Sequence, residues 1–211
     1  MKFQFPPPGV LVPNSEFDPL PYYYRPVVGH LYRRRLKMGL QLVPDGGRRV
    51  LEIGVGSGIL VPSLTAGFPE YVGTDLVLAE GLASLVAPQC AARFQVADLL
   101  DPSALPADAF DVVVCVSVLE HVADTETAAR CLARVLAPSG TLVTGYPMVN
   151  GFMANCFRVL GFGNIEEHHV TAPAQITTAL GKLLRPVDRV SLPLFAPQPL
   201  SLYECTSWTN R

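Results

Sequence analysis

A chain of 211 residues, 49% apolar and 16% charged with a formal net charge of −2, suits one globular domain with a sizeable core; a second full domain would be cramped. No apolar run reaches the roughly 18 residues of a membrane-spanning helix, and the start, Met1 to Pro8, lacks a signal-peptide core, so a soluble, unsecreted protein is expected. Five scattered cysteines (Cys90, Cys115, Cys131, Cys156, Cys205) without C-x-x-C spacing argue against a zinc site or disulfide framework and for a reducing, cytoplasmic setting.

Residues 1–26 carry seven prolines and the run Tyr22-Tyr23-Tyr24. Proline at that density forbids long helices and central strands, so the segment reads as an extended arm, free to be disordered at its start. Its tyrosines are expected to pack on the domain, with a lid over an acceptor pocket as the alternative. From Val27 to Val43 the pattern is helical, with Leu36, Leu40 and Val43 on one face and the arginines largely elsewhere. Residues 25–49 hold seven basic residues and one acidic, hence +6 in a chain of −2, leaving −8 for the rest. That stretch reads as a solvated helix face, or else as a surface for an anionic substrate, an anionic membrane or RNA; no nucleic-acid motif supports the last.

The centre of the chain is Val50-Leu51-Glu52-Ile53-Gly54-Val55-Gly56-Ser57-Gly58, a buried strand ending in a glycine-rich turn that leads into a helix over Ile59 to Ala66. Glycines there let the backbone turn tightly and approach a ligand, with helical N–H groups facing it. Strand and helix then alternate. Tyr71–Asp75 is the second strand, Ala79–Val86 its helix, and Arg93–Asp98 the third strand. The almost unbroken apolar run Phe110–Val116 is a strand buried on both faces. Thr125–Leu136 is a helix capped by Asp124, and Thr141–Tyr146 the fifth strand. Gly151–Leu160 and Ala174–Leu184 are further helices, the latter with Thr171 as its cap and Pro173 in its first turn. Val187–Leu194 and Leu200–Trp208 close the chain as two strands. The expectation is an α/β, Rossmann-like, doubly wound sheet of seven strands, mostly parallel. The division is an arm over 1–26 and a single domain over 27–211, with a cofactor half at about 48–147 and an acceptor-covering, closing-strand part at about 148–211.

In an open α/β sheet ligands sit outside the carboxyl ends of the strands. Those ends carry Glu52, Asp75, Asp98, Ser117 and Tyr146, and three carboxylates in a row there are hard to attribute to folding. A carboxylate after the second strand suits the two hydroxyls of a ribose. The glycine spacing is G-x-G-x-G with Glu52 two positions before the first glycine, and not the G-x-G-x-x-G of dinucleotide-binding folds.

That spacing resembles motif I of class I S-adenosylmethionine (SAM)-dependent methyltransferases. The stretches Ala97-Asp98-Leu99-Leu100, Leu105-Pro106, Phe110-Asp111-Val112-Val113, Val118-Leu119-Glu120-His121-Val122 and Arg134-Val135-Leu136-Ala137-Pro138-Ser139-Gly140 are similar to the pattern of its small-molecule, methyltransferase type 11-like family, over about residues 50–147. Ser139 replaces a glycine usual in that family. The resemblance implies that SAM is the cofactor and that the last strand is antiparallel. It implies a cofactor site of Glu52, Gly54, Gly56, Ser57, Gly58, Asp75, Leu76, Asp98, Leu99 and Ser117: the acidic residue and glycines at the amino-acid end of SAM, Asp75 at the ribose, and Asp98 and Leu99 at the adenine. Glu167-His168-His169-Val170-Thr171 weakly resembles the family's acceptor-covering segment.

An oxygen acceptor needs a base, for which His121, His168 and His169 are the candidates, while His121 alternatively shapes the cofactor pocket; His30 is read as structural. The expected reaction is methylation, at oxygen, of a small and substantially apolar molecule beneath Tyr22, Tyr23, Tyr24, Met148, Phe152, Met153 and Phe157, with no nucleic-acid partner, no metal and an open oligomeric state. The competing classes are an inactive SAM-binding partner subunit and an NAD-dependent oxidoreductase.

Overall fold

A computed structural model describes residues 1–148, 170–193 and 201–211. Seven strands form one sheet: β1 (Arg49–Ile53), β2 (Glu70–Asp75), β3 (Ala91–Val96), β4 (Phe110–Val116), β5 (Leu136–Pro147), β6 (Leu184–Leu192) and β7 (Tyr203–Asn210). Their order is β3-β2-β1-β4-β5-β7-β6. The pairs among β1 to β5 are parallel, and β7 runs antiparallel to both β5 and β6. The expected doubly wound sheet with an antiparallel last strand is present. The chain reverses direction across the sheet between β1 and β4, which leaves a crevice at the carboxyl ends of those strands.

The side-chain alternation of strands builds the core in two layers. Val50, Val112, Val114 and Val143 face one way, onto α2 (Pro26–Gln41), α3 (Val61–Gly67) and the arm, with Leu36, Leu40 and Leu64 buried against them. Leu51, Val113, Cys115 and Leu142 face the other way, onto α4 (Thr125–Val135) and α5 (Pro173–Leu183), where Leu132, Ile176 and Leu180 meet them. This is why Phe110–Val116 reads as an unbroken apolar run: both of its faces are covered.

Several local expectations give way to tertiary context. The helix expected over Ala79–Val86 is a single 3-10 turn, Leu82–Leu85, entered through Gly81 in a left-handed conformation that no regular helix continues through. The glycine turn is followed by a helix only from Val61, and it lasts seven residues. Asp124 does cap α4, its Oδ1 accepting from the Thr127 N–H at 3.0 Å. Thr171 does not cap α5. Its hydroxyl donates to the Val122 carbonyl at 2.6 Å, while Gln175 Oε1 accepts from the Ala172 N–H at the helix start. The helix expected over Gly151–Leu160, His168 and His169, and the junction 194–200 lie outside the described residues.

The arm is docked along its length. The Gln4 N–H donates to Ser63 Oγ at 2.8 Å, Tyr24 Oη to the Pro6 carbonyl at 3.1 Å, and Asn14 Nδ2 to the Val77 carbonyl at 3.1 Å. Leu11, Leu20 and Tyr23 are buried, the last two in α1 (Leu20–Tyr23), a single turn. The basic stretch is what holds it. Lys37 lies over the Phe3 ring, Arg33 over Phe5, and Arg25 over Tyr22, so cations expected on a solvated face instead cover aromatic rings of the arm. No helix of the described residues is long and apolar enough to cross a membrane.

Candidate active site

The strand-end crevice is a cleft of about 390 Å³, within the range of small-molecule sites. The turn after β1 supplies Gly54, Gly56 and Ser57, the end of β2 supplies Asp75 and Leu76, and the residues after β3 supply Asp98 and Leu99. Ser117 and His121 come from the segment after β4, and Glu52 from β1 itself. Of the cofactor-site residues expected from sequence, all but Gly58 line this cleft, as does His121, while His168 and His169 lie outside the described residues.

The glycines have different reasons to be glycine. At Gly56, in a left-handed conformation, an added Cβ would meet nothing nearer than Asp18 Oδ2 at 3.9 Å, so its face is open to the cleft. At Gly54 an added Cβ would collide with Val118 Cγ2, and at Gly58 with Leu82 and Leu85, so those two answer to packing.

The acids are held by backbone N–H groups and by a tyrosine hydroxyl. Asp75 Oδ2 accepts from the Gly56 N–H and Oδ1 from the Leu76 N–H, both at 2.7 Å. Asp98 Oδ1 accepts from the Leu100 N–H at 2.9 Å. Glu52 is 3% exposed and bonded to Tyr71 Oη at 2.6 Å. Burial pushes its carboxyl up to about 8; the Tyr71 bond works against that and the nearby Asp75 charge adds to it. Ser117, at a φ of 59°, turns its Oγ to Tyr203 Oη at 2.7 Å, joining the end of β4 to the start of β7.

Two contributors to this cleft, Asp18 and Arg35, are not expected from the sequence, and of the three tyrosines expected over the acceptor one lines it. Tyr23 reaches it from the arm, whereas Tyr22 stacks on Tyr32 and Tyr24 packs on Phe5. Asp18, also on the arm, stands over Gly56 and Ser57. Arg35 departs furthest from expectation. Its guanidinium points inward, 4.3 Å from the centre of the Tyr32 ring and within 6 Å of those of Tyr23 and Tyr203. Nη2 donates to Tyr23 Oη at 2.8 Å, and buried Nε has no partner among the described residues. A signal was available: Leu31, Arg35, Met38 and Leu42 form a second stripe at helical spacing, three of them packed in one apolar cluster with Tyr203. Glu120, also buried, has an Oε2 without a partner among the described residues; burial pushes it up to about 7 against the pull of Arg35. It does not line the cleft.

These groups fit SAM. The orphaned Nε of Arg35 suits a carboxylate, the Glu52 carboxyl an ammonium, and the Asp75 carboxylate retains lone pairs for ribose hydroxyls. They do not fit a dinucleotide. The Gly56 N–H that a pyrophosphate would need is already committed to Asp75, among four lining acids: Asp18, Glu52, Asp75 and Asp98. Among the described residues no cluster of side chains could hold a metal ion.

Known proteins agree with this geometry. Residues 51–144 match the family described as "Methyltransferase domain". The chain is 30% identical to the ubiquinone biosynthesis O-methyltransferase of Thiobacillus denitrificans over 131 residues, 61% of this chain and 53% of that protein. It is 34% identical to the protein of the same name from Aromatoleum aromaticum over 119 residues, 54% and 50% of the two chains. The chain thus spans about half the length of these relatives. Its fold is shared with the N-methyltransferase NodS of Bradyrhizobium japonicum WM9 in complex with S-adenosyl-L-homocysteine, with a TM-score of 0.63, 21% identity and 93% of each chain covered. It is also shared with the PH0226 protein of Pyrococcus horikoshii OT3, with a TM-score of 0.63, 16% identity, and 85% and 91% covered. Residues 51–144 thus match a methyltransferase domain, and the fold is the one that NodS and PH0226 share.

Proposed function

We propose that the protein transfers a methyl group from SAM to an oxygen of a small, substantially apolar acceptor. The observation that carries this is the cleft itself, in which an open glycine face, three strand-end carboxylates and an unpaired guanidinium converge. Relatives named O-methyltransferases support the choice of oxygen.

Bound SAM supplies a methyl group on a positively charged sulfur, open to displacement by a nucleophile in line. Arg35 would hold the cofactor carboxylate and Glu52 its ammonium, while Asp75 would take the ribose hydroxyls and Asp98 and Leu99 would flank the adenine. Fixing both partners and excluding water supplies much of the rate. The acceptor enters on the β4 side, past Val116, Val118 and Val122, which line the cleft with apolar surface. His121 lines the cleft and is proposed to take the acceptor's proton. The four described cysteines are unpaired, which suits a cytoplasmic enzyme.

Methyl-labelled SAM incubated with the protein and with separate metabolite, RNA and protein fractions tests the reading. Label is expected in the metabolite fraction, at a much lower rate with His121→Ala, whose affinity for S-adenosylhomocysteine should be unchanged. Label in RNA or protein alone would overturn the acceptor class. Tight binding of S-adenosylhomocysteine with no turnover on any fraction would favour the partner-subunit alternative.

A further inference from the structure

The arm is a wall of the cofactor cleft as well as a covering of the core. Asn14, Ser15, Phe17, Asp18, Pro19 and Tyr23 all line the cleft, facing the glycine turn across it. Of these Asp18 alone carries charge. Its Oδ2 is the single atom that a Cβ on Gly56 would approach within 4 Å, and its Oδ1 lies 3.5 Å from Ser57 Oγ. The same carboxylate is fixed from within the arm, accepting from the Leu20 N–H at 2.8 Å and the Asn14 N–H at 3.2 Å. These bonds aim the group at the turn and still leave lone pairs for a ligand. No cation of the protein pairs with Asp18 among the described residues.

The arm is anchored at both ends, by Met1, Phe3 and Phe5 packed on the core and by Leu20, Tyr23 and Tyr24. The stretch between them is held by buried Leu11 and by single hydrogen bonds such as that of Asn14 Nδ2 to the Val77 carbonyl, the kind of segment that opens locally. A cofactor lying on the open face of Gly56 would sit between the turn and Asp18.

We propose that Asp18 is a cofactor-binding residue and that the arm is a lid closed by it: the carboxylate grips the cationic amino-acid end of SAM, and cofactor exchange requires the arm to open. This rests on the cleft being the SAM site. The recognised chemistry is a cation beside the glycine turn, an ammonium in SAM and its demethylated product alike and a sulfonium in SAM alone. The arm should therefore hold SAM at least as firmly as the product.

Asp18→Asn removes the charge while its amide oxygen still accepts from the Leu20 N–H, giving up only the longer bond from the Asn14 N–H. Calorimetry on the full chain should show about fivefold or greater loss of affinity for S-adenosylhomocysteine, and at least as great a loss for SAM, with the unliganded melting temperature preserved. Hydrogen exchange gives a second readout: saturating S-adenosylhomocysteine should slow exchange of backbone amides between residues 9 and 24 in the wild type, and less so in Asp18→Asn. Unchanged affinities in a folded Asp18→Asn, or arm amides indifferent to bound ligand, would overturn the proposal. Failure of the wild type to bind either ligand would instead overturn the assignment of the cleft.

Discussion

The backbone N–H of Gly56 donates to the carboxylate of Asp75 at 2.7 Å, linking the turn after β1 to the end of β2 across 19 residues of sequence. One bond thereby does two things. It fixes the turn in the shape that leaves the Gly56 face open, and it withdraws from the site the N–H donor that a phosphate would need. Asp75→Ala should therefore act on both: affinity for S-adenosylhomocysteine is expected to fall by more than ~1.5 kcal/mol, the scale of a hydrogen bond to a charged group. NAD should bind neither the wild type nor the variant appreciably. Calorimetry with both ligands checks this, and unchanged affinity for S-adenosylhomocysteine in a folded variant would place the ribose elsewhere.

Gly54 and Gly56 make opposite predictions despite their shared motif. Gly54→Ala drives a methyl into Val118 at a positive φ and should destabilise the fold by about 2 kcal/mol or more, partly relieved by Val118→Ala. Gly56→Ala meets open space, so thermal melting should change by less while cofactor affinity drops. Gly56→Val should be harsher still on binding. Equal effects on melting would contradict the assignment of the open face.

Arg35 is a buried cation among three tyrosines, without an ion-pair partner among the described residues. Desolvating an unpaired charge is costly, so removing it relieves the empty protein while depriving a bound carboxylate of its partner. Arg35→Met should melt at or above the wild-type temperature without ligand, and bind S-adenosylhomocysteine about tenfold or more weakly. A large loss of stability with unaltered binding would assign Arg35 to the core alone.

Glu52 gives the site a pH signature. Its carboxyl, pushed up to about 8 from an ordinary 4.5, is protonated in the folded state where the unfolded chain has already lost the proton. The folded state then binds more protons between about 4.5 and about 8, so stability falls as pH rises through that window. Glu120, pushed up to about 7, acts in the same direction but is spent by then. Between pH 7 and 8 the decline in melting temperature should thus belong mainly to Glu52 and flatten in Glu52→Gln, whose amide oxygen can keep the Tyr71 bond. A cationic ligand end would favour the ionised carboxyl. SAM binding near pH 7 should accordingly release up to about one proton, seen as a dependence of the calorimetric enthalpy on buffer and absent in Glu52→Gln.

The periodic and contiguous features were legible in the chain itself. Apolar runs such as Phe110–Val116 specify strands covered on both faces, because a strand's side chains alternate whatever the rest of the chain does. Asp75 and Asp98 could be placed at the cleft for the same reason: residues at or just beyond the end of a parallel strand are carried to the same edge of the sheet. What only the tertiary structure decided is which side chains from other elements meet them. Gly54 and Gly56 are alike in sequence, and only the presence of Val118 behind one and of the cleft before the other separates them. Arg35 looked like one more cation on a basic helix, yet Tyr23, 12 residues before it, and Tyr203, from the far end of the chain, turn it inward. Asp18 and Ser57 are 39 residues apart, and Ser117 and Tyr203 are 86 apart. Such pairings carry no period and no local propensity. They follow from the order in which the strands are laid down and from the path of the arm over them, and these exist only once the sheet has formed.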